Sequence, residues 1–304
     1  VDVGVIVCES DRFDEYEKNL INKFEELKIP YFVVVNKSNS LKINNNILYT
    51  SVKNDDELVF KFKTALIKLL PEDYINPPKI AGDLIPEKST VIMVVPIDKE
   101  APKGRLILPQ VQTLRDLLDS DCLVYTVKDT ELKSALDNLK EPPSLVITDS
   151  QAFKKVSEIV PENIPLTSFS ILFAKLKGDV DEFVKGANEI EKLKDGDKVL
   201  ILESCTHHAI EDDIGRVKIP NLLRKKTGKD LIIENYAGHD FPDIKDYKLI
   251  IHCGACMTNR REVLSRIIKA NKENVPITNY GIVISYCLGI LPRAIKPLRF
   301  NTKI

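Results

Sequence analysis

The chain has 304 residues, enough for two or three compact domains. Its 44 basic and 45 acidic side chains nearly cancel, which argues against a broad cationic footprint for nucleic acid. No apolar run reaches the ~18 residues of a bilayer-spanning helix, so no membrane partner is expected.

The opening "VDVGVIVCES" has neither the basic start nor the cleavage-like end of a secretory signal, and a cytoplasmic location is expected. It begins directly on a buried-strand pattern without a preceding Met. The numbering is therefore expected to start partway through a longer protein.

Residues 1–75 read as strand "VGVIVC", amphipathic helix "RFDEYEKNLINKFEEL", strand "PYFVVVN", short strand "NILYTSV" and helix "NDDELVFKFKTALIKLL", with Asn54 as a cap. Strands alternating with helices are the grammar of a parallel sheet with crossovers. "PEDYINPPKIAGDLIPEK" has prolines and charge without periodicity and reads as a linker. A second series over 76–164 runs through the strands "TVIMVVPI", "CLVYTV" and "SLVITD", each followed by a helix. Such unbroken apolar strands suit a sheet covered on both faces. This segment carries no His and no phosphate-binding glycine loop, so it reads as an association module.

A third unit over 165–304 starts with the helices "FSILFAKLKG" and "VDEFVKGANEIEKL". It continues through the strands "VLILESC", "LIIENY" and "YKLIIHC", a helix "NRREVLSRIIKANKE" and a final strand "PITNYGIVISYC". No internal repeat stands out. The fold class is α/β: three consecutive units with mainly parallel sheets and a metal site at the strand C-terminal ends, where ligands collect in such sheets.

Six cysteines are present. Cys8, Cys122 and Cys287 sit singly in apolar segments and read as small core hydrophobes, Cys287 being also a remote candidate for a fourth thiolate. Cys205, Cys253 and Cys256 form a set, each at or just beyond a strand end. Asn259 followed by Glu262 has the pattern of a capping box, and the helix it opens favours thiolate nearby. His207, two residues after Cys205, can share its face. His252 and Cys253 are neighbours on an extended strand and must point to opposite faces. Both histidines are candidates for ligands or for residues supporting them. His208 and His239 read as loop residues, and Glu211 or Asp212 as a distant source of a further ligand. Three thiolates and a histidine would close a zinc site. Three thiolates alone would hold a 4Fe–4S cluster with one iron open. A redox dithiol of Cys253 and Cys256 is the third alternative.

The pattern Cys205-x-His207, then His252-Cys253-x-x-Cys256, with "EDDIGRVKIP" and "IIHCGACMTNRREV" around it, strongly resembles HydF, the GTP-binding maturation factor of FeFe-hydrogenases. The resemblance extends over all three segments. It implies the C-terminal part of a Ras-like GTPase domain, a dimerisation domain and a 4Fe–4S domain. It identifies "NKSN" after "YFVVV" with the guanine-reading loop, so that Asn36, Lys37 and Asn39, with Ser51, Val52 and Lys53 of the last loop, would contact GTP. Asn39 stands where the family has aspartate, and an amide offers one acceptor and two donors against the guanine edge.

The phosphate-binding lysine and the Mg2+ ligands are not among these residues. GTP hydrolysis is thus implied for the full-length protein, and no catalytic residue is expected in this chain. The resemblance further implies a homodimer that receives a diiron precursor from radical-SAM maturases and passes it to apo-FeFe-hydrogenase. The alternative is a zinc-stabilised, GTPase-linked interaction protein without cluster chemistry.

Overall fold

A computed structural model describes residues 3–9, 14–36, 42–44, 47–49, 56–70, 78–97, 106–203, 213–238 and 241–299. The chain is α/β. Among the described residues three four-stranded sheets follow one another in chain order, in two compact units, 1–78 and 79–304.

In the first unit the sheet runs β1 (Gly4–Glu9), β2 (Tyr31–Asn36), β4 (Ile47–Tyr49) and β3 (Lys42–Asn44). β1, β2 and β4 are parallel, and β3 is antiparallel to β4. The centre of β2, Phe32 to Val35, is apolar because both its faces are covered. Val33 and Val35 meet Ile21 and Phe24 of α1 (Glu15–Glu26), while Phe32 and Val34 meet Phe62 and Leu66 of α2 (Asp56–Leu69). Asn54 lies outside the described residues.

The second unit contains two parallel sheets. The first is ordered β6 (Leu123–Val127), β5 (Thr90–Val94), β7 (Leu145–Thr148), β8 (Leu166–Ser168). Helices α3 (Leu108–Leu118), α4 (Leu132–Asn138) and α5 (Phe153–Ile159) alternate with its strands, and α6 (Phe169–Lys177) follows β8. The other sheet is ordered β10 (Ile232–Ala237), β9 (Lys198–Glu203), β11 (Leu249–His252), β12 (Ile277–Asn279). It is surrounded by α7 (Val180–Asn188), a π turn over Ile214–Lys218, α8 (Ile219–Thr227), α9 (Arg260–Lys272), α10 (Tyr280–Cys287) and α11 (Leu291–Arg299). One apolar cluster runs through both, from Ile92 and Val146 to Leu200, Ile250 and Ile284.

Four expectations need correction. The supposed linker over 71–88 is partly core: Ile80 and Ala81 are buried, and the Asp116 carboxylate accepts from the N–H groups of Ile80, Ala81 and Gly82 at 2.8–2.9 Å. A carboxylate on α3 satisfies that backbone, which needs no periodicity of its own. The final strand "PITNYGIVISYC" is a three-residue strand followed by α10, with Asn279 Oδ1 accepting from Gly281 N at 2.9 Å. Gly281, Ile282, Val283, Ile284 and Ser285 are all buried, so the helix has no polar face to reveal its period. Cys287 therefore ends a helix, not a strand.

The third correction concerns repetition, because the two sheets of the second unit share one strand order. Their last joints match as well, "PLTSFSILF" against "PITNYGIVI", each a short strand running into a helix capped by Ser168 or Asn279. The fourth concerns the capping box. Asn259 Oδ1 accepts from Glu262 N at 2.9 Å, but the Glu262 carboxylate turns to Arg266 Nε at 3.1 Å. One further helix, α11, carries an internal proline. Pro297 lies inside it, yet Leu291, Ala294 and Ile295 are buried and Arg293 donates to the carbonyls of Ser157, Val160 and Pro161.

Candidate metal centre

β9 and β11 are parallel neighbours, Leu202 standing opposite His252. The ladder extends one step further, Cys253 N donating to Leu202 O at 2.9 Å. Cys253 thus leaves the sheet at the same C-terminal edge as Glu203, the last residue of β9. The loop then turns through Gly254 and Ala255, the latter at φ 54°, to Cys256 and to Asn259 at the start of α9. Cys253 is buried and Cys256 half-buried, and both are thiols.

Both cysteines line a cavity of about 400 Å3. Glu203, Asp213, Gly215 and Tyr280 line it too, together with Asp149, Ser150 and Gln151 from the loop after β7. Buried Glu203 accepts from the Tyr280 hydroxyl at 3.2 Å. Burial, followed by the Glu203 charge, pushes the Tyr280 hydroxyl well above its ordinary pKa, so it stays a donor. A Cβ at Gly215 would strike this pair, which is why a glycine can stand there. Asp213 is buried and accepts from Arg216 N at 2.8 Å, opening the π turn.

His252 does not line the cavity. Its Nδ1 lies 2.7 Å from Cys253 O and its Nε2 3.0 Å from Arg266 Nη1. Arginine can only donate, so Nε2 accepts and Nδ1 carries the proton. The ring braces the strand end from behind while Cys253 faces forward, as strand alternation requires. Arg266 itself is 1% exposed and donates also to Glu262 and to Gly238 O.

Cys205 and His207, like His208, Glu211, Asp212 and His239, lie outside the described residues. Among the described residues no three His, Cys, Asp or Glu side chains converge to hold a metal ion. Cys287 does not line the cavity, and burial pushes its thiol up to about 12. Cys8 and Cys122 are buried, with Sγ against Val34 O and Ser120 O. Of the guanine-reading candidates Asn36 ends β2, whereas Lys37, Asn39, Ser51, Val52 and Lys53 lie outside the described residues. The donor set at the cavity, two thiols three positions apart beside a helix N-terminus, fits a thiolate-bound metal. Sequence reasoning missed Glu203, Asp213 and Tyr280, whose buried polar groups look like ordinary strand-end and helix residues in one dimension.

The model of the hydrogen maturase F dimerization domain matches residues 80–178, and that of the hydrogen maturase F tetramerization domain matches 181–297. Between them they cover more than two thirds of the chain. The chain belongs to the hydrogen maturase F family. That membership gives it a role in hydrogenase maturation and two modules named for self-association. A search of curated proteins gave no match. The cavity is built across both hydrogen maturase F modules: Asp149, Ser150 and Gln151 come from one, and Glu203, Tyr280 and the cysteines from the other. No helix among the described residues is long and apolar enough to cross a membrane.

Proposed function

We propose that the chain is a scaffold and carrier for assembly of the FeFe-hydrogenase active site. Cys253 and Cys256, with Cys205, would hold three irons of a 4Fe–4S cluster. The observation that carries this reading is the opening of both described thiols into one cavity of about 400 Å3, larger than a lone structural zinc requires. When bound, the cluster would supply an iron with an exchangeable position at which a diiron cargo is received from radical-SAM maturases and released to apo-hydrogenase.

The chain's own groups would act around that position. The α9 N-terminus favours the thiolate form, as helix dipoles do. Glu203 and Tyr280 keep a hydrogen-bonded pair on the cavity wall, and His252 with Arg266 fixes the end of β11. The first unit, whose β2 ends at Asn36, would bind GTP with Mg2+ in the full-length protein and modulate partner contacts. The middle module would pair two copies.

The test is anaerobic reconstitution with iron and sulfide, followed by metal and sulfide counts and EPR of the reduced protein. About four irons and four sulfides per chain are expected, the complement of one such cluster. The EPR signal should shift on adding imidazole, and Cys205→Ala should lose the cluster as readily as Cys253→Ala. Tight zinc without sulfide uptake would instead establish a structural clasp. Retention of the site in Cys205→Ala would point to a Cys253–Cys256 dithiol.

A further inference from the structure

The loop that carries Cys253 and Cys256 is gripped from the neighbouring module. Lys177, the last residue of α6, lays its ammonium against three loop carbonyls, those of Ala255 at 2.8 Å, Cys256 at 3.2 Å and Thr258 at 2.6 Å. In return Arg260, the first residue of α9, donates through Nη1 to the carbonyls of Lys175, Leu176 and Gly178 at 3.3, 2.7 and 3.2 Å. Lys175 and Leu176 lie in the last turn of α6, whose final carbonyls have no partner within the helix and carry its negative pole, and Gly178 caps it. Each segment thus supplies a cation to the other's carbonyls.

The turn between the cysteines has reason to be held. Ala255 is buried and adopts φ 54°, a left-handed conformation that strains an L-residue. Its carbonyl accepts from Lys177, from Thr258 N and from Thr258 Oγ1. The Lys177 ammonium also lies 5.6 Å from the centre of the Phe173 ring. The ammonium therefore sits directly against the backbone of the turn that carries both sulfurs.

We infer that Lys177 is a positioning residue for the metal site, holding the Cys253–Cys256 turn in its binding geometry and placing a positive charge behind the two thiolates. Arg260 locks the same joint from the other side. The inference rests on the proposed thiolate-metal reading of the two cysteines. Its consequence is that the site is completed across the seam between the two matched domains, because Lys177 falls in 80–178 and the loop in 181–297.

The experiment uses the full chain with Co2+ as the probe, together with the reconstituted iron–sulfur protein. Lys177→Met keeps the aliphatic stem against Phe173 and removes the charge and all three donors. Loss of such supporting groups typically costs 10–100-fold in metal affinity, so Co2+ binding should weaken about tenfold or more. The reduction potential of the reconstituted protein should fall, because a cation near the site no longer favours the added electron. Lys177→Arg should restore both. A lysine that merely helped the loop fold would change the yield of loaded protein but not its potential.

Equal Co2+ affinity and equal potential in wild type and Lys177→Met would overturn the inference and leave the metal reading standing. No uptake of Co2+ or iron by the wild type would overturn both. Lys177→Gln, which keeps a donor without the charge, carries the same comparison if the methionine variant does not fold.

Discussion

Arg266 shows how one side chain sets the geometry behind the cysteines. A fully buried guanidinium is costly unless its donors are met. Here they reach Glu262 of the same helix, His252 at the end of β11 and Gly238 just beyond β10. Arg266→Met fills much of the volume but leaves His252 Nε2 without that donor and breaks the link between two strand ends. Glu262 is partly exposed and can turn to water, which limits the loss. The variant should be destabilised by about 2–4 kcal/mol, read as a lower urea midpoint. A change below half a kilocalorie would show that the network is not needed for stability. The sequence offered a strong hint at His252, since its neighbour Cys253 had to face the other way. It offered none at Arg266, one basic residue among several on an apparently amphipathic helix.

At the scale of elements, the short strand β12 is wedged between β11 and α7. Gly186 lies in α7, where a Cβ would collide with the backbone of Ile277 in β12. Gly→Ala in a helix ordinarily gains up to about 1 kcal/mol. In this position the obstacle is a carbonyl of a three-residue strand, which cannot move without breaking its pairing with β11. The clash should therefore win, and Gly186→Ala should cost a net ~1–3 kcal/mol in chemical denaturation. A more stable variant would mean that α7 can slide on the sheet. The same packing explains why α10 has the look of a strand in the sequence. β-branched residues buried on every side carry no helical period, and only the Asn279 cap marks where the chain turns.

Across the second unit, two sheets of one strand order meet over a common cavity. α6 and α10 cross where Ser170 meets Gly281, a contact so close that a Cβ on the glycine would lie 2.7 Å from the serine side chain. The outer edge of the first sheet is β6, with Leu123 60% and Tyr125 48% exposed, and no strand among the described residues pairs with its far side. An open apolar strand edge invites another strand. In a module named for dimerisation, that edge is the expected meeting surface of two copies. Leu123→Lys combined with Tyr125→Lys should lower the mass measured by light scattering after size exclusion, with the fold retained by circular dichroism. An unchanged mass would move the interface elsewhere on the molecule.

Local chemistry is what the sequence determined by itself. β2 shows as a strand because its apolar run is covered on both faces, and α1 and α9 show as helices because each has a polar side. Cys253 and Cys256 stand out as candidate ligands because two residues separate them, and the family resemblance followed from that pattern. What only the tertiary structure decided are features made by residues far apart in the chain. Lys177 reaches Ala255, Arg293 reaches the end of α5, Asp116 holds the backbone of Ile80, and Glu203 meets Tyr280. Each is a charged or polar group whose partner is a backbone atom or a side chain on another element. Backbone carbonyls are the same at every position, so no spacing in the sequence can mark which of them a lysine or arginine will find.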